Sequence, residues 1–180
     1  MDIPISFKIY LQWKNLFNKK EDNHQIKISK EGRGVRSILF FLPEKIQDAK
    51  IVNYLVKVEN PLPGYDIGLV CSERSKMFYP HIDNVKLFTF NDEDLNYFET
   101  IKSVLFMDTI KSKNYDAIVD LNTEFCAATT MLAFELDAPL KIGFDSIVNR
   151  KIFTITLERK ENTFLESYFS RILNLLGVKL

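Results

Sequence analysis

The sequence predicts an α/β fold: a single Rossmann-like domain on a doubly wound parallel sheet, with an extra amphipathic helix ahead of it. Short apolar runs alternate with segments of helical periodicity along most of the chain, the pattern of successive βαβ units. The run Ile38-Leu-Phe-Phe-Leu42 has no polar interruption, which suits a strand covered on both faces. The length of 180 residues suffices for one core that buries about 70% of the unfolded surface, and is cramped for two. Residues 1–36 read as the helix and a polar connection, and 37–180 as the domain.

In chain order, residues 5–20 form the leading helix, with Ile5, Ile9, Trp13 and Leu16 or Phe17 on one face and Lys8, Lys14, Lys19 and Lys20 off it. That face either packs on the domain or meets a membrane surface or a partner, as a cationic helix with one Trp suggests. The polar stretch 18–36 holds at most a short strand around Ile26–Ile28. After the strand at 38–42, Pro43-Glu-Lys45 breaks the pairing. Ile46, Ala49, Val52 and Leu55 or Val56 then recur at helical spacing, with Asp48 in the first turn.

Pro61-Leu-Pro-Gly-Tyr65 is a turn, Asp66–Cys71 a second strand, and Ser72 caps a short helix over 73–79 that Pro80 stops. Val85–Phe90 is the third strand. Asn91 or Asp92 then caps a helix along Leu95, Phe98, Ile101, Leu105 and Thr109. The fourth strand, Tyr115–Leu121, is apolar in the middle with carboxylates near both ends. Asn122 or Thr123 opens a helix presenting Phe125, Ala128, Thr129, Leu132 and Leu136. Pro139–Phe144 is the fifth strand, 151–157 an edge strand or extended crossing, and Phe164–Leu176 an amphipathic helix ended by Gly177.

Composition removes several classes. Lys plus Arg 24 balances Asp plus Glu 24, so no overall field favours nucleic acid, and 46% hydrophobic content argues against disorder. Cys71 and Cys126 have apolar neighbours and no metal-ligand spacing, and read as reduced core residues of a cytoplasmic protein. No metal and no cofactor is expected. No run is long enough to span a bilayer and no signal-peptide pattern is visible. Gly32-Arg-Gly34 precedes the first strand, so it cannot cradle a pyrophosphate after it.

Three segments carry a resemblance. Ile38-Leu-Phe-Phe-Leu-Pro-Glu-Lys-Ile-Gln-Asp48 resembles the opening strand and loop of the heptosyltransferase-type glycosyltransferases, the ADP-heptose:lipopolysaccharide family, which commonly read Ile-Leu-x-x-Arg-x-x-x-Ile-Gly-Asp. Leu42 stands at the frequent arginine and Gln47 at the glycine. Tyr115-Asp-Ala-Ile-Val-Asp-Leu121 is similar to the family's Tyr-Asp-x-x-Ile-Asp-Leu, and Ala138-Pro-Leu-Lys-Ile-Gly-Phe144 to its Ala-Pro-x-x-Ile-Gly-Phe. The order agrees, and Leu175-Leu-Gly-Val178 resembles the helix leading to the family's second domain.

The resemblance implies the N-terminal, acceptor-side half of a GT-B glycosyltransferase, related to enzymes of lipopolysaccharide or envelope glycan assembly. It implies Asp48 as the general base toward an acceptor hydroxyl; the competing reading is a carboxylate that complements a helix dipole. Glu44, Lys45 and Gln47 on the first loop, with Asn122, Thr123 and Glu124 after the fourth strand, are the ligand-binding candidates, Lys45 toward an acceptor phosphate. Each also suits a solvated loop or cap. The family's donor-binding loop, of the Asp-x-Gly-x-x-His type, has no counterpart here, since His24 and His81 lie elsewhere. A domain not catalytic alone is therefore expected, or an active transferase when paired with a separate donor-binding chain or as a dimer. The expected partners are a protein partner or homodimer, a glycan acceptor and a peripheral contact of residues 5–20 with the inner membrane face.

Overall fold

The computed structural model describes residues 3–17, 35–57, 64–79, 85–159 and 164–176. The sequence expectations at Ile26–Ile28, Pro61–Pro63, Pro80 and Gly177 lie outside them. The elements are α1 (Ile5–Phe17), β1 (Ser37–Phe41), α2 (Ile46–Lys57), β2 (Asp66–Ser72), β3 (Lys86–Phe90), α3 (Val104–Lys111), β4 (Ala117–Asp120), α4 (Ala127–Glu135), β5 (Leu140–Phe144), α5 (Asn149–Ile152), β6 (Ile155–Leu157) and α6 (Leu165–Leu175).

All six strands form one sheet in the order β3-β2-β1-β4-β5-β6, and every pairing is parallel. The unbroken run at Ile38–Leu42 is central because both its faces find cover. Ile38 and Phe40 join a cluster with Ala49 and Val52 of α2 and Leu165, Tyr168, Phe169 and Ile172 of α6. Leu39 and Phe41 enter a second cluster with Ile110 of α3 and Ala128 and Leu132 of α4. The sheet is thus wound on both faces, as alternating side chains of a doubly covered strand require.

Asp116 fixes one end of the central pair: its Oδ2 accepts from the backbone N–H groups of Arg36 and Ser37, each at 2.9 Å. Lys141 of β5 donates to the carbonyls of Ala133 (2.8 Å) and Leu136 (2.7 Å), satisfying orphan acceptors at the carboxyl end of α4. Cys71 and Cys126 are free thiols, and burial pushes both up to about 12.

Four sequence expectations are corrected. For the leading helix, the alternative in which the stripe Ile5, Ile9 and Trp13 packs on the domain is overturned: the helix buries Phe7 and Leu11, and the stripe is exposed. Ile3, Phe7 and Leu11 pack on Ala127, Met131 and Val148, so a cluster of small and flexible side chains on α4 selected the other face. The helix at 73–79 is a single 3-10 turn, Lys76–Phe78. The helix expected after Asn91 starts only at Val104, capped by Ser103. Asn91 instead caps a 3-10 turn with a capping box to Asp94, and the Asn96 side chain accepts from the N–H groups of Phe98 (2.8 Å) and Thr100 (3.2 Å), an Asx-type turn that competes with helix. Finally, α4 begins at Ala127 with Cys126 as its cap, leaving Asn122, Thr123 and Phe125 in the preceding loop. The edge-strand alternative at 151–157 is realised as β6, shortened by α5. Among the described residues, no helix is long and apolar enough to cross a membrane.

Candidate functional site

The chain runs outward from β1 to β2 and β3, then returns to the other side of β1 as β4. The connections leaving the neighbouring strands β1 and β4 therefore run in opposite directions, to β2 and to β5, which makes the carboxyl ends of β1 and β4 the topological switch point where open α/β sheets place their ligand crevice. The register puts Phe41, the last residue of β1, against Asp120, the last of β4. The loop 42–45 and the loop 121–126 consequently rise side by side.

Asp48 lies in the first turn of α2 and is 5% exposed. The Thr123 hydroxyl, from the facing loop, donates to Asp48 Oδ2. This bond joins residues 75 apart in sequence and orients the carboxylate across the switch point. Beneath it, Asp120 is buried; its Oδ1 accepts from Asn122 N–H (3.0 Å) and Nδ2 (2.7 Å), and its Oδ2 from the Thr129 hydroxyl (3.2 Å). Burial pushes the Asp120 carboxyl up to about 6, against those hydrogen bonds, which favour the ionised form. Nearby, the Tyr79 hydroxyl donates to the carbonyl of Pro43 at 2.7 Å and ties the β1–α2 loop to the segment after β2. Burial raises the Tyr79 phenol above its ordinary range.

At the rim, Lys45 Nζ is 2.5 Å from Glu124 Oε1, and that carboxylate holds the Lys45 ammonium above its ordinary range. Glu44 and Gln47 are exposed on the same loop and first helical turn. The structure thus brings Asp48 to Thr123 and Lys45 to Glu124, holds Asn122 on Asp120, and leaves Glu44 and Gln47 in solvent. Asp120 and Tyr79 were absent from the sequence candidates. Asp120 had a signal, an acid ending an apolar strand with Asn two residues on, which is the spacing of an Asx turn. Tyr79 had none, because its contact depends on tertiary placement. Among the described residues, no group of three or more His, Cys, Asp or Glu side chains is placed to hold a metal ion.

No protein-family model matches the chain, and no curated protein does. Solved structures do match. The Escherichia coli heptosyltransferase WaaC with ADP superposes with a TM-score of 0.56 at 14% identity, over 79% of this chain and 48% of that one. A glycosyl transferase family 9 protein from Veillonella parvula gives a TM-score of 0.56 at 18% identity, over 90% of this chain and 44% of that one. The chain spans about half the length of these structures. At such identities the likeness is one of fold: the domain shares the parallel α/β fold of the matched part of these structures.

Proposed function

We propose that the crevice between the β1–α2 and β4–α4 loops is the acceptor side of a glycosyltransferase-like domain, with Asp48 as general base. The observation that carries this is the Asp48–Thr123 bond across the topological switch point. A buried carboxylate oriented by a neighbouring hydroxyl, at the place where open α/β sheets receive ligands, suits removal of a proton from an acceptor hydroxyl. As that oxygen bonds to the anomeric carbon of a nucleotide sugar, the bond to the nucleotide phosphate breaks and the nucleoside diphosphate leaves with its electron pair. The proton stays on Asp48 until solvent takes it. The donor is held by a second surface facing the crevice, on another domain, another chain or a second copy. The envelope glycans of the heptosyltransferases are the substrate class this reading favours.

A second reading, binding of a glycan or protein without transfer, is favoured by the Lys45–Glu124 pair, which occupies the cation otherwise available to an anionic acceptor. Purification from native cells with membranes retained, followed by transfer assays over a panel of nucleotide sugars, separates the two. Transfer that falls about 10²- to 10⁴-fold in Asp48→Asn supports the general base. Equal rates in both proteins reject it. Material that transfers no sugar supports the binding reading.

A further inference from the structure

We propose that α1 docks this domain on an anionic lipid surface. A helix that only caps a domain needs one apolar face, and α1 has two. Ile3, Phe7 and Leu11 form the buried one. On the opposite side Ile5 is 75%, Ile9 61% and Trp13 56% exposed. Their i, i+4, i+8 spacing aligns them in a single stripe along the helix. Three large apolar side chains in line, outside the core, mark a surface built to be covered.

Charge identifies the cover. Within α1, Ile5–Phe17, the charged side chains are Lys8 and Lys14, and none is acidic. Lys14 is held inward by Glu135 at 2.7 Å. Lys8 is exposed and lies about 60° around the helix from Ile5, on the flank where a lysine reaches headgroups while its neighbours enter the acyl boundary. A second copy of the chain fits this stripe poorly, because pairing two such helices brings both Lys8 side chains to one interface with no acidic residue on either helix. An anionic bilayer supplies both the apolar phase and the counter-charge.

The helix is also close to the crevice. Phe7 packs edge-on against Phe125 at 4.8 Å, and Phe125 belongs to the same loop as Thr123. Docking through α1 would thus hold the crevice near the lipid surface. The inference stands without the transfer reading, since vesicle binding and sugar transfer are measured separately.

Trp13 is the chain's single tryptophan, so its emission reports the site directly. The full chain should co-sediment with vesicles of mixed phosphatidylcholine and phosphatidylglycerol, with a blue shift of Trp13. Both effects should weaken in high salt and be lost on phosphatidylcholine alone. Ile9→Glu and Lys8→Glu should each lower the partition coefficient at least about tenfold, with the thermal midpoint kept near the parent's as the control for folding. Three outcomes overturn the proposal: no binding to the anionic vesicles, binding that neither substitution changes, or a blue shift that appears without lipid as protein concentration rises. The last would make the stripe a self-association surface.

Discussion

Asp120 occupies the most demanding position in the crevice, a carboxylate only 3% exposed whose value has moved from 3.8 to about 6. The folded chain therefore binds its proton more tightly than the unfolded chain. This contribution to stability is complete below about pH 4 and is lost as pH rises through about 6, a span worth about 3 kcal/mol. Asp120→Asn lacks the titration, so urea midpoints of parent and variant should converge toward high stability in acid and separate, parent lower, as neutrality is approached. A difference independent of pH would contradict a buried, titrating Asp120. Asp48 makes a different prediction at the same scale: Asp48→Asn keeps an oxygen for the Thr123 hydroxyl and should cost under about 1.5 kcal/mol of stability while removing the proposed base. A large loss in thermal midpoint would mean that its main role is to tether the loops. The Asp48–Thr123 pairing left no trace in the sequence, where Asp48 is only an acid opening a helix, whereas Asp120 with Asn122 two residues on has the local spacing of an Asx turn.

At the scale of elements, strands were easier to read than the connections after them. Gly143 in β5 shows why a strand glycine can be required: a Cβ there would lie 3.1 Å from Phe153 Cε1 and 3.2 Å from two further ring atoms. Gly143→Ala should lower stability by about 1–3 kcal/mol through overpacking, measured by denaturant titration. Phe153→Leu, which removes the ring, should recover part of that loss in the double variant. The segment after β3 is likewise decided by one side chain. Leu95, Phe98, Ile101 and Leu105 have helical spacing, yet Leu95 and Ile101 form an antiparallel bridge and Leu105 is 81% exposed. Apolar spacing satisfied two geometries, and the Asn96 side chain decided between them by taking the N–H groups that a helix would have used.

At the scale of the whole molecule, the hydrophobic clusters among the described residues divide into two that flank the sheet and a third, between α1 and α4, that contains no strand residue. α1 is accordingly an outer layer, and its loss should leave the sheet folded. Phe7, 2% exposed, anchors it; Phe7→Ala should weaken α1 docking by about 3 kcal/mol. In amide exchange, protection should fall within residues 5–17 while β1 and β4 remain protected. Loss of protection throughout would make α1 part of the cooperative core. The sequence by itself determined the α/β class, the central strand at 38–42, the Asp48 turn and the final amphipathic helix, because each rests on local periodicity and the chemistry of neighbouring residues. Only the tertiary structure decided the order of strands around β1, the meeting of Asp48 with Thr123, and which of two apolar faces α1 buries. Those depend on contacts between residues far apart in the chain, where the free energy lies in the fit of one surface to another and leaves no periodic trace in either segment.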